Sequence, residues 1–127
     1  MALESSTQGA PILAREIMSA PAITVTPDTS AAEVAGLLAE RGISGVVVVD
    51  KRGSVVGLVS EYDLLAKDGK SVADVMTTAM ICISADLPIE DVRHLLVERR
   101  IRRLPVLDQG RLIGIVSRRD VMAALVR

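Results

Sequence analysis

Two short stretches of this 127-residue chain carry the residues best able to do chemistry. Gly57-Leu58-Val59-Ser60-Glu61-Tyr62-Asp63 and Gly114-Ile115-Val116-Ser117-Arg118-Arg119-Asp120 share the pattern G-x-V-S-x-x-D. Each serine ends an apolar run, so it falls where a strand gives way to a helix, and the aspartate follows one turn on. Hydroxyl and carboxylate then point toward the same helix end. Such an end presents N–H groups and a partial positive charge, which suit phosphate. A carboxylate can accept hydrogen bonds from both ribose hydroxyls, as acidic residues do in dinucleotide-binding folds. The pair therefore fits a ribose phosphate. The same spacing also makes a capping box, with the serine as N-cap and the aspartate against the helix dipole. The two roles are compatible.

The motif recurs because the chain is duplicated. Met18–Asp63 aligns with Met76–Asp120 at an offset of 58, which drops to 57 after one deletion near Gly53. Each copy spans about 45–60 residues, where a separate core is marginal, so the copies are expected to share one core. Each copy reads as strand, helix, strand, strand, helix. In the first, Ile23–Val25 is a short strand and Ser30-x-x-Glu33 opens a helix that stops at Gly42. Val46–Val49 and Ser54–Val59 form a hairpin across the turn Asp50–Gly53. A short helix follows Ser60 and fades into a linker at 67–70. The second copy repeats this at Ile81–Ile83, Pro88–Arg99, Leu104–Leu107, Arg111–Val116 and Arg118–Val126. A short helix starts at Pro11, and residues 1–10 read as a loose tail. The domains are thus 11–68 and 69–127, and the fold class is α/β (α+β) with two βαββα repeats.

Composition limits the chemistry. Half the residues are apolar, yet there is one Tyr and no Phe or Trp, so core and ligand pocket must be aliphatic. Net charge is −1, but seven arginines crowd between Arg99 and Arg119. The single cysteine, Cys82, excludes an internal disulfide and fits a reducing compartment. It is expected in the core, and His94 on the surface. No apolar run reaches ~18–20 residues and no leader pattern opens the chain, so a soluble cytoplasmic protein, with no membrane partner, is expected. Metal-ligand spacing, a P-loop and G-x-S-x-G are all missing, which argues against an enzyme.

The stretches V-A-D-V-M-T (Val72–Thr77), E-R-G-I-S-G-V-V-V-V-D (Glu40–Asp50) and R-I-R-R-L-P-V-L-D (Arg100–Asp108) join the two G-x-V-S-x-x-D motifs in a recognisable order. Over residues 11–126 the chain resembles a tandem pair of cystathionine-β-synthase (CBS) domains, a Bateman module. The resemblance implies two three-stranded sheets packed about a pseudo-twofold axis, and homodimers shaped as disks. It implies AMP, ADP or ATP in clefts between the repeats, with NAD or S-adenosylmethionine as further candidates. One site would join Ser60 and Asp63 to Met80, Ile81, Ile101 and Arg102. The other would join Ser117, Arg119 and Asp120 to Ala22, Ile23, Ile43 and Ser44. The aliphatic residues would sandwich adenine.

Arg102 and Arg103 precede a strand where the first copy has Ser44 and Gly45, and arginine can hold phosphate bidentately. The Arg102 site is therefore expected to take the nucleotide, and the Ser44 site to be weaker or empty. The resulting function is an adenosyl-nucleotide sensor that passes its bound state to an effector protein or fused domain. Two other readings compete. One is a structural dimerisation module with vestigial sites. The other is a nucleic-acid-binding protein using Arg99–Arg119, which would lack stacking aromatics. Leu64-Leu65 and Val121-Met122-Leu125 are the expected dimer surface.

Overall fold

A computed structural model of the chain describes residues 11–126, and the tail expected over residues 1–10 lies outside them. The elements run α1 (Ala14–Ile17), β1 (Thr24–Val25), α2 (Ala31–Arg41), β2 (Gly45–Val49), β3 (Val55–Ser60) and α3 (Glu61–Ala66). They continue as α4 (Val72–Val75), β4 (Ile83–Ser84), α5 (Ile89–Glu98), β5 (Arg103–Asp108), β6 (Arg111–Ser117) and α6 (Arg118–Leu125). Two mixed three-stranded sheets result, ordered β1-β2-β3 and β4-β5-β6. In each, a two-residue strand lies parallel to the middle strand, which pairs antiparallel with the last.

Local chemistry accounts for the boundaries. Ser30 caps α2 by accepting the Glu33 N–H at 3.0 Å. Gly42 ends that helix in the left-handed region, at φ +62°. The first hairpin turns on Asp50, whose carboxylate takes the N–H groups of Arg52 and Ser54, both at 2.9 Å. The second hairpin turns on Gln109 and Gly110, both at positive φ, the two-residue loop that suits strand twist.

The short helix α4 is not among the elements expected from sequence. Its signal is present all the same: Ser71-x-x-Asp74 closes a reciprocal capping box. α4 matters because the compact units do not follow the repeats. One unit is Ala22–Met80, and the other takes residues up to Pro21 together with those from Ile81 onward. Each unit thus completes itself with a short helix from the other repeat. In α4, the N–H groups of Val72 and Ala73 donate to the carbonyls of Thr29 and Pro27 at 2.8 and 2.9 Å. In α1, those of Ala14 and Arg15 donate to Leu87 and Ala85 at 2.9 and 3.0 Å. These are the same bonds at aligned positions.

Buried apolar residues sort into two clusters. Val72 and Val75 of α4 join Val34, Leu38, Val46, Val48 and Val59. Ala14 and Ile17 of α1 join Ile83, Ile89, Val92, Leu96, Leu104, Val106, Val116 and Val121, among others. Burying a Val or Ile side chain contributes about 1.5–3 kcal/mol, so the exchanged helices are worth several such contributions to units of marginal length. Cys82 is not in this core; it sits half-buried just before β4, and burial pushes its thiol pKa up.

Candidate nucleotide site

Every fixed letter of G-x-V-S-x-x-D has a structural cause. The glycines lie where the segment after an exchanged helix crosses the last strand of its sheet. Ser19 and Ile115 exchange N–H···O bonds at 2.9 and 3.0 Å, and Leu58 and Thr77 do so at 2.9 and 2.8 Å. A Cβ on Gly114 would stand 2.8 Å from the Ser19 carbonyl oxygen, and one on Gly57 would stand 3.0 Å from that of Thr77. Only glycine lets the backbones meet. The valines, Val59 and Val116, are wholly buried in the two clusters. Ser60 and Ser117 are N-caps, and each forms a full reciprocal box with its aspartate.

These caps change one expectation. Two of the N–H groups at each helix start already have partners. Glu61 N–H donates to the Ser44 carbonyl at 3.0 Å, and Arg118 N–H to that of Arg102 at 3.1 Å. Asp63 and Asp120 N–H donate to their serine hydroxyls at 3.2 Å. A phosphate there would find only part of a backbone cradle, with arginine to supplement it.

The two aspartates differ in what remains available on them. In both, Oδ2 accepts from the serine N–H and hydroxyl: 2.9 and 3.0 Å at Asp63, 2.7 and 3.0 Å at Asp120. At Asp63, Oδ1 also accepts the Thr77 hydroxyl at 2.8 Å and pairs with the Lys67 ammonium at 2.8 Å. Four donors fill its lone pairs, and its side chain is only 6% exposed. Burial pushes this carboxyl pKa up, but hydrogen bonds from Lys67, Ser60 and Thr77 outweigh it and hold the pKa below the usual range. At Asp120, Oδ1 accepts only a longer bond among the described residues, from the Ser19 hydroxyl at 3.2 Å. The residue is half-buried, and Ala124 stands at the position corresponding to Lys67.

Arginine joins the second motif, not the first. Register places Arg103 directly opposite Ser117, so both side chains lie on one face of the sheet. The first sheet places Gly45 opposite Ser60. Arg102 and Arg119 are exposed in the unit that holds Asp120. Ile81 and Ile101 pack half-buried against that unit's cluster, and Ile23 and Ile43 against the other. Ala22 and Met80 are half-buried and Ser44 exposed, in the unit that holds Asp63. A groove of about 280 Å³ along α2, between Val25 and Glu40, holds none of the expected site residues.

Sequence alone does not single out Ser19, Thr77 and Lys67. A signal existed for the first two, since Met18-Ser19 aligns with Met76-Thr77 and both carry a hydroxyl. His94 is exposed, as expected, within 3.5 Å of Glu98. No helix among the described residues is long and apolar enough to cross a membrane.

Two mixed sheets, each bearing the same glycine, serine and aspartate at a strand-to-helix junction, define a tandem α+β module. The chain belongs to the CBS domain family, whose profile matches residues 14–69 and again 72–127. It is 36% identical over 112 residues to inosine-5'-monophosphate dehydrogenase of Methanocaldococcus jannaschii, covering 86% of this chain and 23% of that protein. It is 33% identical to the chloroplastic CBS domain-containing protein CBSX2 of Arabidopsis thaliana, covering 81% of this chain and 58% of that one. The chain thus spans about a quarter of the first of these relatives and less than three fifths of the second. A crystal structure of CBSX2 in complex with AMP matches with a TM-score of 0.84, 35% identity, and coverage of 90% and 96%. The CBS domain pair of protein MJ0100, in complex with 5'-methylthioadenosine and S-adenosyl-L-methionine, matches with a TM-score of 0.85, 29% identity, and coverage of 92% and 98%.

Proposed function

We propose that this chain is a regulatory sensor of an adenosyl ligand, and that its working site is built on Ser117 and Asp120. One observation carries this reading: Asp120 keeps an open acceptor on Oδ1 and Arg103 stands opposite Ser117, whereas Asp63 keeps no open acceptor and Gly45 stands opposite Ser60. The open acceptor suits a ribose hydroxyl, and Arg103, Arg102 and Arg119 suit the phosphate. This reverses the weighting expected from sequence, which paired Arg102 with Asp63. The nucleotide-bound relatives support the ligand class, since CBSX2 is seen with AMP and MJ0100 with two sulfur-bearing adenosyl compounds.

Binding would bias one arrangement of the module, by no more than the ligand's difference in affinity between arrangements. An effector protein or fused domain would read that bias. A second copy of the chain would cover the exposed Tyr62 and Leu65 on α3, or Met122 on α6 and Val126 at its end. Of the side chains expected at a dimer surface, Leu64 and Val121 instead turn into the clusters.

A thermal-unfolding screen with AMP, ADP, ATP, NAD and S-adenosylmethionine tests the reading. One of them, at about 100 times its Kd, should add about 2.7 kcal/mol of stability, and Asp120→Asn should remove the gain. A flat response to the whole panel would leave a structural dimerisation module instead.

A further inference from the structure

We infer that Lys67 selects between the two motifs, acting as a built-in cation that closes Asp63 to any ligand. The inference rests on the adenosyl-ligand reading above. Lys67 lies one turn after Asp63, at the C-cap of α3. Its ammonium has three donors, and all three are used: Asp63 Oδ1 at 2.8 Å, the Val75 carbonyl at 3.1 Å and the Thr77 hydroxyl at 3.2 Å. Thr77 in turn donates to the same Oδ1. The second unit repeats this arrangement position by position, with Ser19 for Thr77, Asp120 for Asp63 and Ser117 for Ser60. Only the cation is missing, because Ala124 stands at the matching place. Removing the Lys67 amine would therefore leave Asp63 with the same partners as Asp120. A ribose hydroxyl would then have an acceptor. Binding there would be weaker, since Ser44 and Gly45 stand where the second unit has Arg102 and Arg103.

Calorimetric titration with AMP tests this on the whole chain, comparing wild type, Lys67→Ala and Lys67→Met, the last keeping the aliphatic stem should the alanine variant fail to fold. The wild type should bind one equivalent. Each variant should bind a second, about tenfold weaker, which disappears when Asp63→Ala is added. Asp120→Ala should remove the first equivalent in every background. Two equivalents in the wild type would overturn the inference. So would variants that bind one equivalent, or bind more weakly because Lys67 was itself a phosphate ligand. If the wild type bound none, the adenosyl-ligand reading would fall. The role of Lys67 would then stand only if its variants gained an equivalent, and would fall if they too bound none.

Discussion

At the scale of single residues, two copies of one motif have taken different roles. Asp63 is held by four donors, one of them a charged partner, so its loss should be felt in stability. Asp63→Ala removes the aspartate half of the capping box and leaves Lys67 without its anion. Lys67 is 37% exposed, so solvent screens part of the loss, and about 1–3 kcal/mol is expected. Asp120→Ala removes the aspartate half of the capping box and the Ser19 bond but no ion pair, about 1 kcal/mol. Urea unfolding of the two variants checks the order. The pH dependence has a definite sign. The Asp63 pKa is depressed in the folded chain below its ordinary 3.8. Its contribution is therefore complete above about pH 4 and is lost as pH falls through the folded value. Asp63→Asn should flatten that part of the acid-unfolding curve, and an unchanged curve would contradict the ion pair. Sequence made the Ser–Asp pairs legible because spacing alone puts a capping box at a strand-to-helix junction. It could not reveal Lys67 as the partner of Asp63. A lysine in a linker reads as solvated until the chain turns back at Val75 and Thr77.

At the scale of elements, the repeated glycine sets the geometry. Gly114 lets Ser19 bridge to Ile115, and that bridge brings the Ser19 hydroxyl to Asp120. Gly114→Ala should cost about 1–3 kcal/mol, because the added Cβ would stand 2.8 Å from the Ser19 carbonyl oxygen as well as 2.6 Å from the Met18 Sδ. Gly57→Ala should cost less, since its Cβ meets the Thr77 oxygen at 3.0 Å instead of 2.8 Å. Gly36 is the contrast. It lies inside α2 with nothing within 4 Å of where a Cβ would stand, so Gly36→Ala should stabilise by about 0.5–1 kcal/mol. Thermal unfolding of the three variants should rank them in that order, and equal costs at Gly36 and Gly114 would contradict it. The strands and long helices were legible because apolar runs, Ser30 and Gly42 mark them locally. The crossing at each glycine was not, since it joins residues far apart in the chain.

At the scale of the whole molecule, the repeat seen in the sequence is not the unit that packs. α1 belongs to the first repeat and is buried with the second, while α4 is buried with the first. For repeats of marginal length, exchanging short helices adds buried contacts, with each cluster closed by residues that the linear order assigns elsewhere. Ile17→Ala should therefore cost about 2–4 kcal/mol and lower amide-exchange protection in β5 and β6. Val75→Ala should do so in β2 and β3 instead. Loss confined to the variant's own repeat would contradict the exchange. Calorimetric titration of AMP into Asp63→Ala and Asp120→Ala tests most directly which motif takes the ligand. Asp120→Ala should weaken binding at least tenfold while Asp63→Ala keeps the wild-type affinity. Full binding by Asp120→Ala, with binding lost in Asp63→Ala, would contradict it.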